Sequence, residues 1–216
     1  MRFARRTSCL SITLLLILSA PLHAQEPPPL IPLLAFDLHA TFPGFPSTQA
    51  LADSRQLELA ELPGRGLGFQ AAVHVYPLRW RAITFGIGGE LAASRANSTP
   101  PEGNDTLRPV HEKFLTASPQ LSFNFGSAHG WSYISGGLGV SQWSIIPAGR
   151  DEPFASDTER LKTLNYGGGA RWFARPHLAF SFDVRFYAIS QGPPYLGNPG
   201  SPHTTLLVIG AGASFK

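Results

Sequence analysis

The chain has 216 residues, of which 43% are apolar and 14% are charged, and it contains 20 prolines and one cysteine. Prolines along the whole length argue against a helical bundle, because proline costs a helix interior about 3 kcal/mol. A single cysteine excludes a disulfide-stapled scaffold and a zinc site built from several cysteines.

The first 24 residues have the pattern of a secretory signal peptide. Arg2, Arg5 and Arg6 precede a short apolar run at residues 9–18, and a small residue, Ala24, precedes the expected cleavage point. The run is too short for a transmembrane helix, which needs about 20 residues. The sequence therefore predicts export, with cleavage after residue 24 and a proline-rich lead at residues 25–32.

The basic formal charge of +3 comes from the predicted signal peptide. The chain has 17 basic and 14 acidic residues, and removal of the three leading arginines leaves 14 of each. Nucleic-acid binding is not expected, because it needs a surplus of Lys and Arg on one face. Cys9 also lies in the leader, so the mature chain is expected to carry no thiol.

From residue 33 to residue 216, apolar side chains alternate with small or polar ones at period two. This alternation is typical of strands with two different faces. No segment after the leader shows a convincing helical period, so the sequence predicts a single all-β domain. Eight strands are predicted, at residues 34–42, 66–76, 83–94, 115–125, 133–141, 164–172, 178–187 and 207–216.

The connections between these strands alternate between long and short. The tight links are at residues 77–81, 126–130 and 174–176, and the other four are longer loops. This arrangement is typical of an antiparallel up-and-down barrel in an outer membrane, with short periplasmic turns. We therefore expect an eight-stranded transmembrane β-barrel with both termini periplasmic and four mobile external loops.

The apolar face of each strand is predicted to point outward. A soluble ligand-carrying barrel would turn it inward, but eight strands enclose an interior just wide enough for side chains. Large apolar residues from every strand would crowd that space, whereas glycine makes room in it. Glycines recur two apart on the polar face, at Gly66/Gly68, Gly86/Gly88, Gly137/Gly139, Gly167/Gly169 and Gly210/Gly212. Aromatic residues are expected at the short-turn interface, namely Trp80, Trp131, Trp172 and Phe215.

Several segments carry a resemblance to a known family. They are Gly66-Leu67-Gly68-Phe69 with Tyr76-Pro77-Leu78, Trp131-Ser132-Tyr133-Ile134-Ser135-Gly136-Gly137-Leu138-Gly139, Asn165-Tyr166-Gly167-Gly168-Gly169-Ala170-Arg171-Trp172-Phe173, and the final strand to Phe215. With them the chain resembles the small outer-membrane β-barrel domain superfamily, which is related in shape to the transmembrane domain of outer membrane protein A. The resemblance covers residues 33–216 and implies an architecture more than an activity.

Two residues depart from what the family and the fold would require. The family typically ends its last strand with an aromatic residue, whereas here Lys216 follows Phe215. Pro119 falls inside the fourth predicted strand, where it removes a donor from the hydrogen-bond ladder. We expect a bulge or a local break at Pro119.

The predicted lumen holds a small set of charged and polar side chains, which are Asp37, His39, Glu90, Arg171, Asp183 and Arg185. A charge in so confined a space needs a partner or water. If the last tight turn is centred on Arg175, Asp183 faces Gly167 and Arg185 faces Asn165. The favoured interpretation is a structural salt-bridge network that plugs the lumen, and the alternative is a gated narrow pore.

Catalytic chemistry has weak support in the sequence. Some proteins that the chain resembles modify lipid A as deacylases or palmitoyltransferases, which would need a Ser or Thr near a His. The candidates are His203-Thr204-Thr205 and, next, His39 with Thr41. No catalytic residue, metal site or cofactor is predicted, and the loop histidines His111, His129 and His177 lack ligand spacing.

The predicted protein is therefore a non-enzymatic, monomeric barrel in outer-membrane lipid. Its role is structural or lies in surface interaction, in which the external loops contact an extracellular ligand or partner. A narrow pore for small solutes or ions and a lipid A-modifying enzyme remain the alternatives.

Overall fold

The structure, a computed structural model, describes residues 28–100, 106–150, 152–154, 157, 159–194, 197 and 199–216. The predicted signal peptide lies outside these residues. Eight antiparallel strands pair in chain order, and the last pairs with the first to close a barrel. They are β1 (Leu34–Gly44), β2 (Gly66–Trp80), β3 (Ile83–Ser98), β4 (Val110–Ser127), β5 (Gly130–Pro147), β6 (Leu161–Arg175), β7 (Leu178–Ile189) and β8 (Thr204–Phe215). The predicted eight-stranded all-β barrel is confirmed.

The apolar residues form a continuous belt on the outside of the barrel. Along β1 the exposed residues Phe36 and Leu38 alternate with Asp37 and His39, which are 2% and 4% exposed. Leu138 on β5 is 73% exposed. A belt of this size marks a surface that contacts lipid rather than water. The fold is that of a transmembrane β-barrel with its polar face inward.

Several strands extend beyond the length that a bilayer requires. A barrel strand crosses with about 9–11 residues, whereas β4 and β5 each have 18. At the long-loop end of β4 the polarity of the two faces inverts. Lys113 and His111 point outward and are exposed there, while Phe114 and Val110 point inward and are buried. The end of the barrel that carries the long loops therefore encloses an apolar core and presents polar side chains outside.

Pro119 interrupts one hydrogen-bond ladder without a bulge. Its pairing with Gly89 on β3 is continuous. On the β5 side the ladder stops after Ala117, which faces Val140, and resumes at Leu121, which faces Gly136, in the same register. The predicted local break is confirmed, and it lies on the side where the missing N–H would have donated.

The last tight turn is one place where the predicted register is wrong. The turn lies at residues 176–177 instead of at Arg175, and a bulge between Phe173 and Arg175 absorbs one residue. Asp183 consequently faces Gly169 and Arg185 faces Gly167, each two residues from the predicted partner. The bulge preserves the alternation, so both charged side chains still point inward.

A second hairpin also turns later than predicted. β2 runs through Pro77 to Trp80, and a bulge between Val75 and Leu78 accommodates the proline. The turn is at residues 81–82, where Arg81 has a φ of 54°.

One predicted interface aromatic residue belongs to the interior. Trp80 and Trp172 are more than half exposed on the outer face, as expected, whereas Trp131 is 3% exposed. Ser132 and Ile134 point outward on β5, so Trp131, at the alternate position, points into the lumen. Its ring stacks on that of Phe173, with centroids 5.0 Å apart.

The loop between β1 and β2 is folded. It contains a six-residue helix, α1 (Gln49–Ser54), and a 3-10 turn (Leu59–Glu61). Thr48 starts α1, and its side-chain oxygen accepts a hydrogen bond from the Leu51 N–H at 3.3 Å. Neither helix in the described part of the chain is long or apolar enough to cross a membrane. This loop departs from the expectation of four mobile loops, because its apolar residues pack into the mouth of the barrel.

Candidate functional site

The lumen near the short turns is closed by a buried ion pair, which we call the lower layer. Arg171 on β6 donates from Nε and Nη2 to the two carboxylate oxygens of Asp37 on β1, at 2.7 and 2.6 Å. Ser214 on β8 donates a further hydrogen bond to the same carboxylate. The guanidinium also lies over the Tyr133 ring, 4.1 Å from its centroid. This geometry is the bidentate one in which arginine pairs most strongly with a carboxylate.

A second set of ion pairs, the middle layer, lies farther toward the long loops. Arg185 on β7 contacts Glu90 on β3 at 2.9 Å and Asp183 at 3.0 Å. Tyr133 donates to Asp183 at 2.7 Å. Because Tyr133 also carries Arg171 on its ring, it connects the two layers.

The Glu90 carboxylate accepts hydrogen bonds from three uncharged side chains as well. Tyr187 donates to Oε1 at 2.6 Å, and Gln70 and Gln120 donate to Oε2 at 2.6 and 2.8 Å. A buried charge is costly unless its lone pairs are satisfied. These donors, with Arg185, satisfy Glu90 without water.

His39 completes the predicted lumen set. Its Nε2 hydrogen bonds the Ser181 hydroxyl at 2.7 Å, and its Nδ1 lies 3.3 Å from the Gln70 amide oxygen. A serine beside a histidine is the start of a hydrolytic site, but Ser181 is completely buried and the orienting group is an amide. His203, the other candidate, is exposed at the mouth of β8. The structure thus places all six predicted lumen residues in one buried hydrogen-bond network inside the barrel.

Glycines on the inner face provide the room for these side chains. A Cβ added to Gly169 would lie 2.7 Å from the Tyr133 hydroxyl, and one added to Gly88 would lie 2.6 Å from the His74 ring. Such distances are shorter than van der Waals contact. Tyr133 and His74 can therefore lie flat against the wall only because their neighbours lack a side chain.

Above the middle layer, the mouth of the barrel is filled by an apolar cluster, which we call the external plug. Leu51 and Ala52 of α1 are fully buried there against the inverted ends of the strands. The described members are Phe45, Leu51, Ala52, Leu57, Leu62, Ala96, Val110, Phe114, Trp143, Ile145, Leu161, Tyr187, Ile189, Leu206 and Val208. Glu112 is buried beside this cluster, and it accepts a hydrogen bond from Trp143 Nε1 at 2.5 Å.

Two ion pairs fix the loops over the external plug, and the sequence analysis identified neither. Arg55, at the end of α1, pairs with Asp157 from the loop after β5, and both side chains are buried. Asp157 also accepts the Ile145 N–H at 3.1 Å, on the side of β5 where the pairing with β6 has ended. Arg108 donates to Glu61 from its backbone at 2.7 Å and from its Nε at 3.1 Å. The members of the first pair are 102 positions apart and those of the second are 47 apart, so no short sequence motif contains either pair.

The lumen is therefore filled at three depths. Arg171 and Arg185, two of its largest side chains, are 1% and 2% exposed. Within the described residues, no group of three or more His, Cys, Asp or Glu side chains could hold a metal ion.

Comparison with known proteins supports the fold. The structure of Neisserial surface protein A matches with a TM-score of 0.50 at 14% identity, over 85% of this chain and 94% of that chain. The attachment invasion locus protein Ail of Yersinia pestis, alone and in complex with the heparin analogue sucrose octasulfate, gives a TM-score of 0.45 at 15% identity, over 84% and 96%. No protein-family model matches the sequence, and no curated protein matches it. At this identity the likeness shows the fold, that of the small eight-stranded outer-membrane barrels.

Proposed function

We propose that the protein is an outer-membrane barrel that does not conduct or catalyse, and whose external end presents a rigid surface to a partner. The observation that carries this proposal is the closure of the lumen by two layers of buried ion pairs and by the external plug. A filled lumen leaves the outside of the protein for interaction, and its external end carries the long loops.

The external end is built from strands as well as loops. Beyond the apolar belt, β3, β4 and β5 stay paired without a break. The last pairs are Ser98 with Val110 between β3 and β4, and Val110 with Pro147 between β4 and β5. Exposed polar side chains such as Asn97 and His111 lie on its outer face, joined by a hydrogen bond of 2.8 Å. Recognition residues carried on a rigid scaffold bind with less ordering cost than those on free loops.

A narrow pore is the competing function. It would need a hydrated path past Arg171 and Arg185, whose guanidinium groups are buried in ion pairs. Folded protein in a planar bilayer is expected to give no single-channel steps. Regular steps from the unaltered protein would show that the lumen opens, and would contradict the proposal.

Membrane placement and orientation can be tested with cysteine labelling, because the single cysteine of the chain lies in the predicted leader. His111→Cys is exposed at the external end, and His129→Cys is the matched replacement in an exposed short turn. On intact cells a membrane-impermeant maleimide should label the first variant, and the second only after lysis. Fractionation should place both in the outer membrane, with a gel mobility that shifts on heating.

The surface-interaction role can be tested with the same two variants. A photoreactive cross-linker attached at position 111 should trap a partner on intact cells or in the presence of the extracellular ligand. The same reagent at position 129 reports background from the periplasmic side. Equal cross-linking at both positions would count against a role at the external surface.

A further inference from the structure

A groove of about 770 Å³ lies on the outer face of β2–β5, at the external edge of the apolar belt. Its floor includes the exposed side chains of Leu67, Phe69 and Leu115. Ile146 on β5 and Pro153 on the following loop line it as well. The groove is therefore open to the lipid face below and bounded by the loop above.

A second depression, of about 470 Å³, lies below the groove on the lipid face. Ala71, Gly89, Ala117 and Pro119 form its floor, and the larger side chains of Phe36, Val73 and Leu91 also line it. The strand register stacks the two depressions, because Ala93 faces Phe69 one row above the pairing of Ala71 with Leu91. Arg95 lies six positions after Gly89 on β3, a distance of about 20 Å at 3.3 Å per residue. The two depressions thus lie one above the other down the belt, and we call the pair the trough.

Two cations stand at the external end of this trough. Arg95 on β3 and Lys113 on β4 are direct cross-strand partners, both line the upper groove, and both are exposed. Like charges directly opposite each other destabilise a sheet. No ion pair to either side chain is found among the residues that the structure describes. The pair is thus arranged for an anion supplied from outside the chain.

We infer that the trough binds a phosphorylated, acylated lipid of the outer leaflet. The phosphate lies between Arg95 and Lys113, and one acyl chain follows the trough toward Gly89. The guanidinium fork of Arg95 and the ammonium group of Lys113 both match phosphate oxygens. The small residues below them leave room for an acyl chain, which a belt made only of large residues would not admit. This inference rests on the proposed outer-membrane location.

The test uses purified, folded protein in detergent and bisphosphorylated lipid A as the probe, with binding measured by native mass spectrometry. Arg95→Gln with Lys113→Gln removes the charge, and Lys162→Gln, an outward cation on β6, is the matched control. Gly89→Phe fills the trough, because a Cβ at Gly89 meets only Ser118 O, at 3.7 Å. Ala211→Phe on the outer face of β8 is its control. Heat-modifiable gel mobility verifies that each variant is folded.

We expect the double charge variant to weaken lipid A binding by about tenfold or more, since two charge-assisted contacts are lost. Gly89→Phe should also weaken it, and both controls should bind as the unaltered protein does. Dephosphorylated lipid A and a soluble, unacylated phosphosugar should each bind poorly, which separates the headgroup from the acyl contribution.

Equal binding of phosphorylated and dephosphorylated lipid A, or unchanged binding by the charge variant, would overturn the inference. Strong binding of the soluble phosphosugar would also overturn it, because the cations would then recognise a free anion. The binding assay is independent of cell fractionation, so a failure here leaves the proposed membrane location intact. Fractionation into the periplasm would contradict that location regardless of what the purified protein binds.

Discussion

Arg171 and Asp37 lie 134 positions apart in the chain, and their side chains join β6 to β1 across the lumen through two hydrogen bonds of 2.7 and 2.6 Å. Both residues are at most 2% exposed. The pair therefore connects β1, at the seam where β1 meets β8, with β6, the third strand beyond that seam.

Asp37→Asn is expected to destabilise the barrel strongly. The substitution keeps the side-chain shape but leaves the Arg171 charge buried and unpaired, which costs about 3–5 kcal/mol in comparable sites. Urea unfolding in lipid vesicles, followed by gel mobility, measures the loss. Asp53→Asn, at an exposed position of α1, is the control, expected to stay within about 0.5 kcal/mol of the unaltered protein. The double variant Asp37→Asn with Arg171→Met should recover part of the loss. Equal stabilities for the two Asp→Asn variants would show that the ion pair is dispensable.

Arginine substitutions on the outer face should be costly in proportion to membrane depth. Phe182 lies midway along β7 on the lipid face, and Phe182→Arg should cost about 2–4 kcal/mol. Leu67 lies near the external edge of the belt, where Leu67→Arg should cost about 0–1 kcal/mol. The same unfolding measurement compares them. A reversed order would mean that the assignment of membrane depth is wrong.

Period-two alternation predicted the eight strands and their inward and outward faces, because the requirement for lipid outside and a narrow bore inside applies to every strand. The same rule started β4 at residue 115, whereas the strand begins at Val110. Before that residue the strand is surrounded by water instead of lipid. There the apolar Phe114 points inward and the charged Lys113 points outward, as in a water-soluble barrel. An inversion of the alternation is the sequence feature that would have identified the external plug.

The layered ion pairs were only partly accessible to sequence reasoning. The inward orientation of Asp183 and Arg185 follows from alternation, but their cross-strand partners depend on one residue in the last turn and on a bulge. The contact of Arg185 with Glu90, 95 positions away, depends on side-chain reach across the closed barrel. No local pattern specifies either feature.

Leu51→Asp should release the loop that carries α1 without unfolding the barrel. Leu51 is completely buried in the external plug. A carboxylate at this position would lose its hydration without gaining hydrogen bonds in exchange. Arg55, now buried and paired with Asp157, would become accessible to trypsin. Leu59→Asp, at a position 43% exposed, is the control. Cleavage after Arg55 should be fast in the first variant and slow in the second. Equal cleavage rates would contradict the packing of this loop.

The contact between Glu61 and Arg108 should weaken in acid. Burial raises the pKa of Glu61, but hydrogen bonds from the Arg108 side chain and from the Glu58 and Arg108 N–H groups outweigh it, so the pKa lies below the usual 4.5. A carboxyl group whose pKa is lowered by folding stabilises the folded state above its unfolded pKa and loses that effect as the pH falls through the folded value.

Hydrogen exchange of the Arg108 and Glu58 amides measures this contact, since both donate to the Glu61 carboxylate, at 2.7 and 2.8 Å. Protection should be constant from neutral pH to about 4.5 and fall below it, after correction for the intrinsic exchange rate. Glu61→Gln should show weaker protection with a flatter pH dependence. An identical acid-dependent loss in that variant would assign the effect to another group.

Gly169→Ala should destabilise the folded barrel more than Gly89→Ala, although both replace a glycine in the middle of a strand. The Cβ at Gly169 points inward and meets the Phe182 carbonyl and the Tyr133 hydroxyl, which donates to Asp183. The Cβ at Gly89 points outward and has only an ordinary contact. Overpacking should cost about 1–3 kcal/mol at position 169, whereas at position 89 the change should be neutral or slightly stabilising, because alanine restricts the unfolded chain.

Urea unfolding of both variants in the same vesicles measures the difference in stability. If Gly169→Ala were as stable as Gly89→Ala, then Tyr133 would have room to move, and the link between the lower and middle layers would be looser than the hydrogen bonds indicate.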